Sequence, residues 1–177
     1  MKRTLQTLNE LEREGVFSRY AIGGAMAATF YVEPLLTFDL DVFFAANDAD
    51  PDSELENEHD VRGRRRVDCI GRVVTRPSAR ENASQCVLIE GVPVQFLPAY
   101  NSLVEEALNQ AQEILYEDVP ARVLRSEHLV AICLQTGRSK DRERVRILRE
   151  QAKLDMNFLA AVLKRYDLEE KWKLWTE

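Results

Sequence analysis

The chain has 177 residues, of which 45% are hydrophobic, and this is enough to bury one core. A formal net charge of −6 argues against a protein that coats nucleic acid, which needs a broadly basic surface. The three cysteines are widely spaced and no Cys-x-x-Cys or His/Cys cluster occurs, which disfavours a disulfide framework and a zinc site. The first residues form an amphipathic pattern rather than a signal peptide, and we expect a cytoplasmic protein without a membrane span.

The N-terminal part of the chain predicts alternating helices and strands. A helical period over residues 3–14 is closed by Gly15. A short strand then runs into a turn at Gly23-Gly24, and a helix of small residues follows until Pro34, which cannot extend it. Residues 37–45 are predicted to form the next strand.

The middle of the chain is dominated by charge. Within residues 46–85, an acidic run is followed by an arginine-rich run. This pattern is typical of a solvated, self-neutralising excursion, and the alternative is a basic patch that contacts nucleic acid. Residues 86–98 then predict a β-hairpin around Glu90-Gly91.

The C-terminal part is predicted to be mainly helical. A helix is expected from Ser102, in a capping box with Glu105, to about Tyr116, and His128 is expected at the surface of a later helix. The further predicted elements are a short strand or extended link over 119–124, helices from Ser126 to Gly137, from Ser139 to about Lys153 and from Asp155 to about Tyr166, and a last short helix that carries Trp172 and Trp175. The order predicts an α+β protein with a small mixed sheet in residues 1–100 and a helical subdomain in residues 101–177.

Two aspartates interrupt the apolar strand predicted over residues 37–45. Side chains alternate between the two faces of a strand, so Asp39 and Asp41 are expected to share one face with Thr37, about 6.6 Å apart at their backbones. The other face, which includes Phe38, is expected to form the core. The pair indicates either a solvated edge or a site for a divalent cation.

The glycine pair that precedes these acids has two interpretations. Backbone without Cβ atoms lets phosphate oxygens approach closely, and a following helix start offers free N–H groups. Alternatively, Gly23-Gly24 is a plain turn between strand and helix. A phosphate cradle beside an acid pair is a layout for nucleoside triphosphate chemistry, and the combination favours that interpretation.

The order of these two motifs resembles the hG[GS]…Dh[DE]h signature of the nucleotidyltransferase superfamily, with Gly23-Gly24 and Asp39-x-Asp41 as its elements. Residues 125–148 are similar to the helical segment of the AbiE-type toxin branch. There an Arg-x-Lys-Asp turn follows a helix, and it corresponds here to Arg138, Lys140 and Asp141.

The resemblance implies a nucleotidyltransferase-like fold, in which a small mixed sheet is flanked by helices. It implies transfer of a nucleotidyl group from an NTP to an RNA, protein or small-molecule hydroxyl, with Mg²⁺ supplied together with the NTP. A role as a toxin with a cognate antitoxin is also implied. The implied metal ligands are Asp39 and Asp41. Together with Gln95 and Lys140 they form the implied catalytic set. The implied nucleotide-binding residues are Gly23, Gly24, Thr37, Arg138, Lys140 and Asp141.

The chain departs from the family pattern at three positions. Gln95 stands where a third carboxylate is expected, and its amide oxygen can bind Mg²⁺ but cannot act as a base. Cys133 stands where the toxin branch tends to carry lysine, and Arg144 stands where an acid is frequent. The alternative hypothesis is therefore a catalytically degenerate module that binds a nucleotide or a partner.

Overall fold

The computed structural model describes residues 1–34, 36–46 and 86–177. The acidic run and the arginine-rich run predicted between residues 46 and 85 lie outside the described residues. Among those that are described, no helix is long and apolar enough to cross a membrane.

The described residues form seven helices and six strands, numbered here in chain order. The helices are α1 (Lys2–Arg13), α2 (Gly24–Ala28), α3 (Ser102–Asn109), α4 (Ser126–Thr136), α5 (Ser139–Gln151), α6 (Met156–Arg165) and α7 (Glu169–Thr176). The strands are β1 (Arg19–Ile22), β2 (Leu40–Ala45), β3 (Cys86–Ile89), β4 (Val92–Pro98), β5 (Gln112–Tyr116) and β6 (Val119–Val123).

All described strands belong to one mixed sheet in the order β3-β4-β2-β1-β6-β5. β2 is antiparallel to β1 and parallel to β4, while β1 is parallel to β6. Helices pack around this sheet, and the last four described helices follow it in sequence. The predicted α+β class, with a small mixed sheet flanked by helices and a helical C-terminal part, is confirmed.

The helix predicted from Ser102 to about Tyr116 does begin at Ser102, but its predicted cap and its predicted end are wrong. Asn101 is the N-cap, because its side chain accepts a hydrogen bond from the Val104 amide. The helix ends at Asn109, and residues 112–123 form the β5–β6 hairpin at the edge of the sheet. The sheet thus takes strands from both sides of residue 100, and a division into 1–100 and 101–177 stays a prediction.

Aromatic rings fill the core beneath the centre of the sheet. Phe17 lies 5.7 Å from Tyr20, 6.0 Å from Phe44 and 6.3 Å from Phe96, measured between ring centroids. All four side chains are buried, and α1 covers them with a stripe of leucines at helical spacing. This packing fixes the position of β2 relative to the neighbouring strands, since Phe44 belongs to β2.

The predicted surface position of His128 is wrong, because this side chain is fully buried. Its Nε2 lies 3.3 Å from Oε1 of Glu106, whose carboxylate also accepts hydrogen bonds from Arg165 and from the Tyr166 hydroxyl at 2.8 Å. The cluster joins α3, α4 and α6. Burial lowers the pKa of His128, and the contact with Glu106 offsets this only in part, so the ring is neutral in the folded protein at pH 7.

The cluster predicts that the protein loses stability as the pH falls below about 6.5. The unfolded chain binds a proton at His128 near its ordinary pKa of 6.5, whereas the folded chain resists protonation, so acid favours unfolding. Near the imidazole, Arg125 and Glu127 of α4 add charges of opposite sign. Urea unfolding at several pH values between 5 and 7.5 measures this slope, and we expect His128→Gln to flatten it. An equal slope in this variant would contradict the assignment.

Candidate functional site

A cavity of about 590 Å³ opens where β2, β4, α4 and the start of α5 meet. It contains most of the residues that the sequence singled out, although they are far apart in the chain. The predicted site residues that line it are Gly24, Thr37, Asp39, Asp41, Gln95, Arg138 and Lys140. Gly23 and Asp141 are buried directly behind the lining.

The carboxylate of Asp41 rests against the backbone of Gly24. A Cβ atom added to Gly24 would lie 1.7 Å from Oδ2 of Asp41, which is far inside the van der Waals distance. Gly24 also has a φ of 61°, a left-handed conformation that favours glycine. The glycine is therefore required by the position of Asp41 as well as by the turn.

Gly23 has a different structural reason. Its backbone N–H donates to the Asp41 carbonyl at 2.9 Å, and an added Cβ would lie 2.2 Å from the Phe43 ring. The close packing of this strand–turn–helix unit thus explains both glycines without a ligand. A phosphate-binding role for the pair stays a prediction.

The first acid of the pair lies just before the strand rather than in it. β2 begins at Leu40, and Asp39 accepts a hydrogen bond at Oδ1 from the Thr37 hydroxyl at 2.9 Å. The alternation of side chains between the two faces of β2 therefore does not extend to Phe38. Its side chain is 80% exposed at the cavity mouth, so its predicted place in the core is wrong.

The surroundings of Asp41 disfavour the ionised form of its carboxyl group. Burial raises its pKa above the usual value for an aspartate, and the charge of Asp39 raises it further. The cations Arg144, Arg138 and Lys140 act in the opposite direction without cancelling the shift. A positive ligand close to both carboxylates would relieve this destabilisation.

Gln95 occupies the position next to the acid pair on the neighbouring strand. β2 and β4 pair in parallel with Asp41 opposite Gln95, and the side chain of Gln95 lines the cavity. Val94 and Phe96 alternate with it along the strand and are buried on the other face of the sheet. The amide therefore faces the cleft, while its contribution to catalysis stays a prediction.

The turn between α4 and α5 brings positive charge to the opposite wall. Arg138 is the N-cap of α5 and forms a capping box with Asp141, whose Oδ2 accepts from the Arg138 Nε at 2.7 Å. Asp141 is fully buried, and burial disfavours its charge, but hydrogen bonds from Arg138 and from Thr136 outweigh this and lower its pKa. It holds Arg138 in place and does not line the cavity. Lys140 lines the cavity, and its side chain is exposed.

Sequence reasoning missed the contribution of Arg144 to this wall. The side chain is 14% exposed, lines the cavity and lies 3.5 Å from Oδ1 of Asp141. The available signal was its i,i+3 spacing from that acid in a helix. Cys133 also lines the cavity, and burial raises the pKa of its thiol to about 11, so it is protonated and unreactive at neutral pH.

The remaining lining is largely apolar. It comes from the segment before β2, from the end of β4 and from one face of α4. Several of these side chains are also strongly exposed: Leu36 at 86%, Phe38 at 80% and Tyr100 at 53%. The cavity thus has a charged floor and an apolar rim, a combination that suits a ligand with an anionic and a flat apolar part.

The acid pair suits Mg²⁺, which prefers carboxylate oxygens and fills its other positions with water or substrate phosphates. Within the described parts of the chain, no group of three or more His, Cys, Asp or Glu residues forms a metal-binding cluster. Asp39 and Asp41, which both line the cavity, are the residues that could hold such an ion.

Comparison with known proteins finds a distant likeness among solved structures. A scan against protein-family models and a search of curated proteins find no match. Among solved structures, an antigenic nucleotidyltransferase-like protein from Paracoccidioides brasiliensis is 15% identical, with a TM-score of 0.43. The match covers 97% of this chain and 93% of that chain. At this distance it assigns neither an activity nor site residues to this chain.

The contact between Gly24 and Asp41 predicts a large cost for a methyl group at Gly24. Gly24→Ala places alanine at positive φ, which costs about 1–2 kcal/mol, and the collision with the carboxylate adds about 1–3 kcal/mol. Chemical denaturation measures this loss in the free energy of unfolding. Gly91→Ala is the matched control, because Gly91 has a φ of 81° and nothing lies within 4 Å of an added Cβ.

We expect Gly91→Ala to show only the backbone cost. In an Asp41→Gly background, Gly24→Ala should cost little more than Gly91→Ala, because every side-chain atom of Asp41 that the new methyl group would meet is gone. Equal costs for Gly24→Ala and Gly91→Ala in the otherwise unchanged protein would contradict this description of the site.

Proposed function

We propose that the protein binds a nucleoside triphosphate in this cleft and transfers its nucleotidyl group to an acceptor hydroxyl. The observation that carries the proposal is the pairing, in one cavity, of two close carboxylates with a wall of cations. One of the carboxylates, Asp41, has a pKa raised by burial and by Asp39. Perturbed acids in a cleft are typical of functional sites.

The proposed reaction is an in-line displacement at the α-phosphorus. The acceptor oxygen forms a bond to this phosphorus, and the bond from the α-phosphorus to the oxygen that bridges to the β-phosphate breaks. Pyrophosphate leaves with the electron pair, and the hydroxyl proton is released to water. Most of the catalysis then comes from positioning and from stabilisation of charge.

Each wall of the cleft has a role in this proposal. Asp39 and Asp41 would hold Mg²⁺, which supplies a Lewis acid for the phosphate oxygens. Arg138 and Lys140 would neutralise charge on the leaving pyrophosphate, Arg138 with its planar fork and Lys140 as a point charge. Asp141 fixes Arg138 for this purpose through two hydrogen bonds, at 2.7 and 3.1 Å.

The acceptor class and the biological role rest on the sequence resemblance alone. An RNA end, a protein side chain and a small molecule each offer a suitable hydroxyl. A toxin role predicts that expression of the active protein arrests growth and that a partner encoded beside it restores growth. Labelling of cellular RNA and protein with α-³²P-labelled NTPs would identify the acceptor.

A second candidate function is nucleotide binding without turnover. It is favoured by Gln95, which faces the acid pair where a third carboxylate is expected. An amide there adds no negative charge for a metal and accepts no proton. Binding of Mg-ATP or Mg-CTP by calorimetry, without a labelled product from any acceptor, would support this candidate over transfer.

The buried charge of Asp41 predicts opposite effects on stability and activity. Asp41→Asn should abolish NTP-dependent labelling, because the metal ligand is lost. It should also raise the free energy of unfolding at pH 7, because a raised pKa means that the ionised form destabilises the fold. Labelling assays and urea titrations on the same preparations measure both effects.

Labelling by the Asp39→Asn and Asp41→Asn variants tests whether the acid pair takes part in transfer. We expect Asp39→Asn to lose labelling as well, while it stays folded. Labelling that survives in both variants would remove the acid pair from the mechanism.

Gln95 predicts weak metal binding in the absence of a nucleotide. Two carboxylates form a site of low negative charge, so calorimetry of the unliganded protein should detect no tight Mg²⁺ binding. Gln95→Asp should raise the Mg²⁺ affinity, because the new carboxylate lies beside Asp41 across the strand pair. Gln95→Ala is the matched control. Unchanged affinity in Gln95→Asp would show that the amide does not face the metal position.

A further inference from the structure

Two arginines of the cleft share one buried anchor. Asp141 receives a two-point contact from Arg138, at 2.7 Å from Nε and 3.1 Å from Nη2. Nη1 of Arg144 lies 3.5 Å from the same carboxylate, one turn further along α5. Thr136 donates to Oδ2 at 2.6 Å, and the Arg138 backbone N–H donates to the same oxygen at 3.3 Å, so several donors surround a side chain that is fully buried.

Contacts within the protein itself hold this arrangement. A guanidinium has five N–H donors in a rigid plane, and Asp141 occupies only some of those on Arg138 and Arg144. Both side chains line the cavity, so donors remain on the sides that face away from the anchor. Because Arg144 is only 14% exposed, little further ordering or desolvation is needed when an anion arrives.

The charge of the cleft favours an anion even before a metal is present. Among the residues that the structure describes, three cations line it, Arg138, Lys140 and Arg144, together with the two carboxylates Asp39 and Asp41. The positive charge of Arg144 attracts an anion and repels a metal ion, whereas a carboxylate at the same position would attract the metal ion.

We infer that Arg138 and Arg144, held by Asp141, form a preformed site for the two terminal phosphates of the nucleotide, and that this site binds pyrophosphate without a divalent cation. The assignment of these phosphates as the leaving group rests on the proposed function. Arg144 makes the direct contact together with Arg138, and Asp141 is a positioning residue. Guanidinium pairs bind phosphate oxygens through charge-assisted, two-point hydrogen bonds, which explains why arginines rather than lysines occupy the anchored positions.

Calorimetric titration with inorganic pyrophosphate in the presence of EDTA tests this inference. The unchanged protein should bind, and Arg144→Met should bind roughly 10- to 100-fold more weakly, as expected for a lost charge-assisted contact. Arg142→Met is the matched control, since Arg142 lies on the same helix, is exposed and does not line the cavity. It removes the same charge and should leave the affinity nearly unchanged.

A second variant separates geometry from charge. Arg144→Lys keeps the charge but loses the planar fork, and we expect an affinity between those of the unchanged protein and Arg144→Met. Circular dichroism and urea unfolding of each variant show whether the fold is kept. No pyrophosphate binding by the folded, unchanged protein would overturn the inference, and so would equal affinities in Arg144→Met and Arg142→Met.

The outcomes also distinguish this inference from the proposed function. Arg144-dependent pyrophosphate binding in a protein that labels no acceptor would support the anion site and contradict nucleotidyl transfer. Labelling that is as fast in Arg144→Met as in Arg142→Met would support transfer and contradict a role of Arg144 at the leaving group.

Discussion

The contact between the Asp41 carboxylate and the bare backbone of Gly24 constrains the whole cleft. It requires glycine at a positive φ at the start of α2, and the hydrogen bond from the Gly23 amide to the Asp41 carbonyl fixes the turn against β2. The parallel pairing of β2 with β4 then places Gln95 beside the same carboxylate. A small change at this contact would therefore move the acid pair, the turn and the neighbouring strand together.

Asp41, half-buried in one wall of the cleft, and Asp141, buried behind the opposite wall, have opposite electrostatic environments. Asp141 is surrounded by donors from Arg138 and Thr136, and its pKa is lowered despite burial. Burial together with Asp39 raises the pKa of Asp41, and among the described residues no hydrogen-bond donors comparable to those around Asp141 offset this. The Asp141 carboxylate stabilises the structure through the cations that it organises. The Asp41 carboxylate destabilises the fold, and this cost would be offset if a cation and a polyanion bound beside it in the liganded state.

The sequence predicted the elements that depend on local signals and missed those that depend on tertiary contacts. Asp39 and Asp41 were expected side by side, and the structure places both at the cavity. Residues 112–116 look equally suitable for a helix or a strand, and only pairing with β6 decides between them. His128 gave no sign of burial because its partner Glu106 lies on another helix. The place of Arg144 in the cavity wall depends on tertiary contacts, because its neighbours across the cavity are distant in sequence.

We have proposed that one nucleotide bridges the acid pair and the anchored arginines. The decisive experiment is a crystal structure with Mg²⁺ and a triphosphate analogue that cannot be cleaved between the α- and β-phosphates. We expect the metal at the carboxylates of Asp39 and Asp41, and the two terminal phosphates within hydrogen-bonding distance of Arg138 and Arg144. A nucleotide bound outside this cavity, or one whose phosphates touch neither wall, would contradict it.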